Sequence, residues 1–190
     1  GAQVVIISGP SGVGKDTIID AMKRRQPEYP RRYVITVTTR ERRDYETDGV
    51  HYHFYSVDDY QRLVASEGLL EASLVHDHWY GTPRDQVQSA IRSGRDAILK
   101  IDVQGADKVR ARIPQALLIF VVPPSIEELE RRLRERRSET RAQTELRLRN
   151  ARIEMARTGE FDHVVVNETD KVDETAEAID GIIAAEHRRF

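Results

Sequence analysis

Blocks of apolar and polar residues alternate along the chain and predict strands and helices in turn. Val4–Ile7 is an uninterrupted apolar run, typical of a strand buried on both faces, and a helix is predicted over Lys15–Arg25. Further strands are predicted at Tyr33–Val37, around Leu69–Val75 and at Ala97–Ile101, Leu117–Val122 and Val164–Val166. The polar stretch Thr38–Tyr55 is predicted to form an antiparallel excursion from this series.

Capping residues mark where the helices begin. Ser56 precedes two acids and predicts a helix start, and Ser125 with Glu128 forms a capping-box pattern. Thr82-Pro83 predicts a hydroxyl cap followed by a proline in the first helical position, and a last helix is predicted from about Val172. Strands and helices that alternate in this way predict an α/β fold with a parallel sheet flanked by helices.

Length and charge narrow the classes of function. The 190 residues suit a single domain, and 30 Lys and Arg against 32 Asp and Glu leave a net charge of −2. Nothing global therefore attracts the chain to nucleic acid or to an anionic membrane, and we expect neither partner. The chain has no cysteine, which excludes a thiol nucleophile and fits a reducing compartment. The longest apolar runs, such as Ala116–Val122, are far shorter than the ~20 residues that span a bilayer.

The segment between the first predicted strand and helix has the spacing of a phosphate-binding loop. It consists of Gly9, Pro10, Ser11, Gly12, Val13, Gly14 and Lys15, followed by Asp16 and Thr17. Glycines let successive backbone N–H groups converge on an anion, and the helix N-terminus adds its dipole. Lys15 supplies a positive charge for the β- and γ-phosphates, so we predict an ATP-binding loop with Lys15 as a catalytic cation.

One position of this loop departs from the usual pattern. After the lysine, Ser or Thr normally holds Mg²⁺, and this chain has Asp16. A carboxylate is a hard oxygen ligand that suits Mg²⁺, whereas an acid is also favoured in the first turn of any helix. Both interpretations of Asp16 stay open. Thr17 does not simply replace the missing hydroxyl, because adjacent helical residues point about 100° apart.

A second set of polar segments suits a nucleoside monophosphate. Two arginines lie three residues apart at Arg40 and Arg43, and tyrosines follow in Gly49–Phe54 and Trp79–Thr82. Guanidinium groups and tyrosine hydroxyls are what a phosphate requires. A carboxylate such as Glu71, beside hydroxyls, accepts from the N1–H and N2–H₂ of guanine together, and adenine does not offer that pair of donors.

These segments together resemble the guanylate kinase family over nearly the whole chain. Besides the phosphate loop, they are Thr38-Thr39-Arg40-x-x-Arg43, His51-Tyr52-His53-Phe54, Leu70-Glu71, Tyr80-Gly81-Thr82, Ile101–Ala106 and Val165-Val166-Asn167. The resemblance implies transfer of a phosphoryl group from ATP to GMP by a cytoplasmic enzyme, with Mg²⁺ bound with ATP. It also implies a phosphate-loop kinase fold, and a monomer or small homo-oligomer is expected.

Residue roles follow from the resemblance position by position. It implies that the GMP phosphate is held by Arg40, Arg43, Tyr52 and Tyr80. The base would be read by Thr36, Glu71 and Thr82, Asp102 would lie between the two nucleotides, and Asn167 would lie near the adenine of ATP.

The resemblance further implies an Arg-rich helical lid over ATP, with Arg136 and Arg147 as its functional cations. Arg137 replaces the glycine that usually follows the first lid arginine, and most other arginines of the lid are expected to form a solvated face with Glu. The single domain 1–190 is expected to comprise a core of residues 1–35, 95–130 and 155–190, a small mixed GMP-binding subdomain of about 36–94 and a lid of about 131–154.

Lys100 is a second departure, because the family usually has Asp or Glu at this position near the metal. Together with Asp16 it suggests a charge swap, and we hypothesise that Asp16 and Lys100 form a pair, so that phosphates and water hold most of the Mg²⁺. The pairs His51/His53 and His76/His78 are compatible with metal binding, but no third ligand is evident in the sequence.

Two alternative functions stay open. Kinases for ribose 1,5-bisphosphate often have Gly-Lys-Asp in the phosphate loop, as at Gly14-Lys15-Asp16, but they have no need for guanine readers such as Glu71. Guanylate-kinase-like modules that bind phosphopeptides without catalysis usually lose the working phosphate loop, which this chain retains. The sequence therefore favours the kinase that acts on GMP.

Overall fold

The computed structural model describes residues 1–136 and 139–189. Strands lie at Val4–Ser8 (β1), Arg31–Tyr33 (β2), Val37–Thr38 (β3), His53–Phe54 (β4), Leu69–Val75 (β5), His78–Pro83 (β6), Asp96–Lys100 (β7), Leu117–Val122 (β8) and His163–Val166 (β9). Helices lie at Lys15–Arg24 (α1), Val57–Ala65 (α2), Arg84–Arg92 (α3), Val103–Arg112 (α4), Ile126–Arg134 (α5), Arg141–Met155 (α6) and Val172–Arg189 (α7). The predicted alternation of strands and helices is confirmed.

The larger sheet has the strand order β2-β7-β1-β8-β9, and its outer pairs β2–β7 and β8–β9 are parallel. Every residue of β1 is buried, as the apolar run predicts. A second sheet has the order β4-β3-β6-β5 and mixes parallel and antiparallel pairs. The fold is therefore α/β with an additional mixed sheet.

The chain divides into two compact units, which share β1. The first consists of Gly1–Ile6 and Tyr29–Leu117, and the second of Ile7–Glu28 and Leu118–Phe190. The first unit contains the mixed sheet, whose core includes Val37, Tyr60 and Leu69. The predicted division into core, GMP-binding subdomain and lid is a different partition and stays a prediction.

Helix packing in the second unit follows from apolar spacing. Leu129 and Leu133 lie one turn apart on α5 and are fully buried. They pack with Leu148 and Ala151 of α6, and burial of each leucine contributes about 1.5–3 kcal/mol. Helices α5 and α6 therefore pack against each other, and Arg147 of the predicted lid lies on α6.

The strand predicted at Tyr33–Val37 is wrong, because β2 ends at Tyr33 and β3 begins at Val37. Between them, the Ile35 N–H donates to the side-chain oxygen of Gln86 at 2.8 Å, and the Gln86 amide donates back to the Ile35 carbonyl at 3.2 Å. A glutamine side chain thus replaces a strand neighbour at this point, which no local sequence pattern reveals.

The segment predicted to be an antiparallel excursion contains β4, which pairs with β3 in parallel. Ser56 and Ser125 cap their helices as predicted, each accepting a backbone N–H at 3.1 Å. The cap predicted at Thr82 is wrong: α3 begins after Pro83 without a side-chain cap, and the Thr82 hydroxyl donates elsewhere.

The last strand, predicted to be buried, is an edge strand with one buried face. Val165 is buried, whereas Val164 and Val166 are 48% and 44% exposed. β9 has β8 as its neighbour and ends the strand order, so an apolar run here does not imply burial on both faces. In the described part of the chain, no helix is long and apolar enough to cross a membrane.

Candidate active site

The first unit contains a buried carboxylate, Glu71, between two hydroxyl groups. A register shift in β5 after Leu69 brings Glu71 opposite Thr82 of β6. The Thr82 hydroxyl donates to Oε1 of Glu71 at 3.0 Å, and the Ser73 hydroxyl donates to Oε2 at 2.8 Å. We call Glu71, Ser73, Thr82 and Asp102 the Glu71 pocket. The hydroxyls fix the plane of the carboxylate and leave further lone pairs for a ligand.

Burial raises the pKa of Glu71, and the nearby negative charge of Asp102 adds to this effect. The hydrogen bonds from Ser73 and Thr82 and the charge of Lys108 act in the opposite direction. Asp102 caps α4 by accepting the Gly105 N–H at 3.0 Å.

Gly105 gives the Glu71 pocket its space. A Cβ atom there would lie 3.3 Å from Oε2 of Glu71 and 3.4 Å from Oδ1 of Asp102. A side chain at this position would therefore press on both carboxylates of the pocket. The start of α4 approaches Glu71 closely because this residue is glycine.

A second cluster in the first unit is organised around Arg40. Its guanidinium forms two hydrogen bonds with the Glu46 carboxylate, at 2.8 and 2.9 Å, and both side chains are largely buried, at 12% and 3% exposure. Burial alone would lower the pKa of Arg40, but the hydrogen bonds and charges of Glu46 and Tyr80 outweigh it and raise the pKa. Arg40 is thus a rigid, permanently charged group whose charge is matched by a buried carboxylate.

Glu46 was not predicted from the sequence. Besides holding Arg40, it accepts the Arg43 backbone N–H at 2.8 Å, and its own carbonyl accepts from Arg42 at 2.7 Å. Burial alone would raise the pKa of Glu46, but the hydrogen bonds from Arg40 and from the Arg43 backbone, with the charges of both arginines, lower it. Glu46 lies six residues after Arg40 in an irregular loop, where no periodic pattern marks a partner.

Aromatic rings complete the Arg40 cluster, which we define as Arg40, Glu46, Tyr52, Tyr80 and Lys100. The Arg40 guanidinium lies 5.3 Å from the centroid of the Tyr52 ring, and Nζ of Lys100 lies 4.7 Å from it. The Tyr80 ring meets Tyr52 edge-on at 6.0 Å. The structure thus brings together three of the four side chains predicted to hold a phosphate.

The remaining predicted residues of the first unit make other contacts. Arg43 is half-buried as a residue, and its guanidinium donates to the hydroxyl of the exposed Tyr45 at 3.2 Å. Thr36 is buried just before β3, where its carbonyl accepts the His53 N–H at 2.9 Å. These two contacts involve neither Tyr52 nor Glu71.

The phosphate loop of the second unit depends on backbone conformations that favour glycine. Gly12 and Gly14 have φ angles of +83° and +99°, and a Cβ on Gly12 would lie 2.7 Å from the Leu133 side chain. Gly14 precedes α1, whose first turn has no side-chain cap. Lys15 donates to the carbonyl of Gly9 and, at 3.4 Å, to that of Pro10. The loop therefore presents main-chain donors at a helix N-terminus with a lysine beside them.

Two side chains outside the loop hold the carbonyl of Val13. The Asn167 amide donates to it at 2.8 Å, and Arg132 donates at 3.1 Å. Arg132 also donates to the Asn167 carbonyl at 3.2 Å, while the Asn167 side-chain oxygen accepts from Thr175 at 3.0 Å. The sequence analysis named Asn167 but not Arg132, which it did not separate from the other arginines of its run.

The predicted lid arginines differ in their surroundings. Arg147 donates to the Ser11 hydroxyl of the phosphate loop at 2.5 Å and pairs with Glu139 at 2.8 Å. Arg136 is exposed just after α5, and Arg137 lies outside the described residues. Other arginines of these helices pair with glutamates on exposed faces, as predicted: Arg131 with Glu128 and Glu135, Arg134 with Glu130, and Arg141 with Glu145.

Asp16 and Thr17 are exposed in the first turn of α1. The carboxylate oxygens of Asp16 are suitable ligands for a hard cation such as Mg²⁺. This residue type is therefore compatible with a metal bound together with phosphate. Within residues 1–136 and 139–189, no group of three or more His, Asp or Glu side chains is arranged to hold a metal by itself. The predicted pairing of Asp16 with Lys100 stays a prediction.

Known proteins resemble this chain in sequence and in fold. The family model "Guanylate kinase" matches residues 1–186. A guanylate kinase from Cutibacterium acnes is 47% identical over 169 residues, which are 87% of this chain and 83% of that protein. One from Desulfitobacterium hafniense is 39% identical over 98% of this chain and 91% of its own. The crystal structure of guanylate kinase from Anaplasma phagocytophilum matches with a TM-score of 0.78 and 29% identity, over 97% of this chain and 86% of that one.

Proposed function

This chain belongs to the guanylate kinase family, and we propose that it transfers the γ-phosphoryl group of ATP to GMP, producing ADP and GDP. The substrates are two nucleotides, and the reaction is a phosphoryl transfer between them. The Glu71 pocket carries the choice of GMP among possible acceptors, because it offers a carboxylate in a fixed plane.

Glu71 reads the guanine base in this proposal. Its ionised carboxylate accepts from N1–H and N2–H₂, while Thr82 and Ser73 hold it in place by the hydrogen bonds at 3.0 and 2.8 Å. Thr36 and Asp102 line the same base site. An adenine in this position would not offer Glu71 the matching pair of donors, so the remaining lone pairs of the buried carboxylate would stay unsatisfied, which is costly.

Arg40, Arg43, Tyr52 and Tyr80 hold the phosphate of GMP. The proximity of Arg40, Tyr52 and Tyr80 in one cluster supports this assignment. Arg43 joins them by turning from the Tyr45 hydroxyl, which is a neutral partner and costs little to exchange for a phosphate oxygen.

The phosphate loop, residues 9–17, binds the phosphates of ATP, with Asn167 at the adenine side. Lys15 and the lid arginines Arg136 and Arg147 balance the charge that spreads over the transferred group in a loose transition state. Phosphoryl transfer of this kind requires alignment and charge neutralisation, so no side chain is assigned as a general base. Mg²⁺ bound with ATP would neutralise phosphate charge, and Asp16 is the residue that would contact it or its water shell.

The wider assignments belong to the same proposal. The proposed subdomain of about residues 36–94 contains the acceptor residues except Asp102, and the proposed lid comprises about residues 131–154. The absence of cysteine and the use of ATP support a cytoplasmic enzyme. A net charge of −2 supports substrates that are small nucleotides rather than nucleic acid, and we infer a monomer or small homo-oligomer.

Release of ADP tests the proposal. Purified protein with Mg²⁺ and ATP is given GMP, AMP, UMP, CMP or ribose 1,5-bisphosphate, and Glu71→Gln is assayed in parallel. We expect turnover with GMP and a loss of preference for GMP in the variant. Turnover with the sugar bisphosphate alone would establish the alternative kinase, and inactivity with all five acceptors, together with phosphopeptide binding, would establish a binding module.

A further inference from the structure

We propose that Arg132 is a positioning residue of the ATP site, which holds the Val13 carbonyl of the phosphate loop so that the Gly14 N–H points toward the phosphates. This inference rests on the proposed function, because it assigns a further residue to the same site. Arg132 acts on the backbone of the loop, whereas the lid arginines act on the transferred group.

The first argument is the geometry of the peptide that joins Val13 to Gly14. The Val13 carbonyl accepts from the Asn167 amide at 2.8 Å and from Arg132 at 3.1 Å, which together match its two lone pairs. This peptide is trans, so its N–H points away from its carbonyl. Two donors that hold the carbonyl on one side of the loop therefore direct the Gly14 N–H to the opposite side.

The second argument is the surroundings of this peptide. Val13 is fully buried, and a Cβ atom on Gly14 would lie 2.8 Å from the side-chain nitrogen of Asn167. Gly14 is also the residue that caps α1, and its carbonyl accepts the Ile18 N–H at 3.0 Å. Protein atoms thus fill the space behind the peptide, and the Gly14 N–H lies at a helix N-terminus, where the helix dipole favours an anion.

The third argument is that Arg132 is itself held from several directions. Besides the bond to Val13, its guanidinium donates to the Asn167 carbonyl at 3.2 Å and to the Thr169 hydroxyl at 3.3 Å. Its Nε lies 3.4 Å from a carboxylate oxygen of Glu128, which also accepts the Thr169 hydroxyl at 2.9 Å. A planar guanidinium spans these acceptors at once, and an ammonium lacks that fixed fork of donors. Lysine could therefore replace Arg132 as a charge but not as the support of this peptide.

Equilibrium binding without GMP separates these roles. Calorimetry with Mg²⁺ measures binding of ATP and of inorganic tripolyphosphate to the wild type, Arg132→Lys and Arg132→Met. Thr169→Val, which removes one partner of the guanidinium, is a milder variant of the same network. Arg134→Met is the matched control, because it removes one positive charge from the exposed face of α5, where Arg134 pairs with Glu130. Thermal melting verifies that each variant folds.

We expect Arg132→Lys and Arg132→Met to weaken binding of both ligands about 10- to 100-fold, the range for loss of one hydrogen bond to a charged phosphate. The factor should be similar for ATP and tripolyphosphate, because the Gly14 N–H serves the phosphates that they share. Thr169→Val should weaken both ligands by a smaller factor. Arg134→Met should bind both like the wild type, and GMP binding without ATP should stay unchanged in every variant.

Three results would overturn the inference. Wild-type affinity in Arg132→Lys would show that Arg132 acts as a charge on the phosphates, and a loss confined to ATP would assign it to contact with the nucleoside. Unchanged binding in the folded variants, even with a lower melting temperature, would leave Arg132 a purely structural role. A wild type that binds neither ligand would instead refute the proposed function, so the two failures are distinguishable.

Discussion

The Glu71 pocket of the first unit and the phosphate loop of the second hold their polar groups by different means. In the pocket, side chains hold side chains: Glu71 is fixed by the hydroxyls of Thr82 and Ser73. In the loop, side chains hold the backbone, because Asn167 and Arg132 both donate to the carbonyl of Val13. The pocket thus presents a buried carboxylate, and the loop presents main-chain N–H groups.

This difference matches what recognition of the two proposed ligand groups, a guanine base and a triphosphate, requires. A base is recognised by the identity of donors and acceptors, and a buried carboxylate rejects a ligand that lacks the matching donors. A triphosphate is the same in every nucleoside triphosphate, so a loop of backbone donors binds it without selecting the base. Changes in the pocket should therefore alter selectivity, and changes in the loop should alter rate or stability.

The largest effect is expected at the lysine of the loop. Lys15→Met should lower kcat about 1000-fold, because a preorganised cation that balances transition-state charge is lost. The affinity for GMP in the absence of ATP should not change. Lys23→Met, in the last turn of the same helix, is the control and should remain active. A loss smaller than tenfold in steady-state turnover would argue against a catalytic role of Lys15.

The next largest effect is expected at the carboxylate of the pocket. Glu71→Gln keeps the shape but replaces an acceptor with an amide donor, so kcat/KM for GMP should fall about 100-fold. Activity with AMP should change little, which reduces the selectivity ratio. Glu67→Gln, at an exposed residue just before β5, is the control. An unchanged ratio of GMP to AMP turnover would separate Glu71 from base recognition.

A substitution at Gly12 tests whether the phosphate loop requires a backbone conformation that favours glycine. Gly12→Ala forces a Cβ into a backbone with φ of +83°, 2.7 Å from the buried side chain of Leu133. We expect a loss of about 1–2 kcal/mol in the free energy of unfolding, measured by denaturant titration.

Gly181→Ala is the matched control for this change. Gly181 lies inside α7 with nothing within 4 Å of a new Cβ, so this variant should gain about 0.5–1 kcal/mol. Equal stability of the two variants would mean that the loop tolerates a side chain at position 12.

The phosphate loop was predictable from the sequence because its residues follow one another along the chain. The loop is built from neighbouring residues, Gly9, Gly12, Gly14 and Lys15. Residues this close in sequence are also close in space, so the sequence spacing alone identifies the loop. The α/β class followed in the same way from alternating apolar blocks, and the structure confirms it. Local patterns of this kind require no knowledge of the fold.

The supporting partners of the pocket and of the Arg40 cluster were not predictable. Ser73, Glu46 and Arg132 are ordinary polar residues whose importance comes from what the fold brings near them. The resemblance places Thr82 in the base site, whereas the local pattern of a hydroxyl before Pro83 predicts a helix cap, which is wrong. A resemblance names residues that contact ligands, whereas the residues that hold them become visible only in three dimensions.

A smaller effect is expected from pH. Burial raises the pKa of Glu71 above the usual glutamate value of about 4.3, and guanine requires the ionised form. Guanosine affinity should therefore fall on acidification at a higher pH than an exposed carboxylate would give. Guanosine is the ligand of choice because the phosphate of GMP itself titrates near pH 6. Glu71→Gln should bind guanosine weakly and without this pH dependence, and a pH-independent wild type would contradict the assignment.

The smallest effect is expected in the coupling between Asp16 of the loop and Lys100 of the Arg40 cluster. If the two side chains act separately, Asp16→Ser should change the Mg²⁺ dependence of turnover, and Lys100→Glu, beside Tyr52, should change the KM for GMP. The two changes should then be independent, with an interaction of less than about 0.5 kcal/mol in a double-mutant cycle on kcat/KM.

The charge swap suggested by the sequence predicts the opposite result for the same four proteins. A direct pair would make each single variant leave one charge unmatched, and the double variant would recover much of the lost activity. Recovery in the double variant would thus transfer Lys100 from the acceptor side to the metal side. Additive losses, with the GMP effect following Lys100 alone, would keep the two regions separate in function, as expected if one selects the acceptor and the other binds the donor.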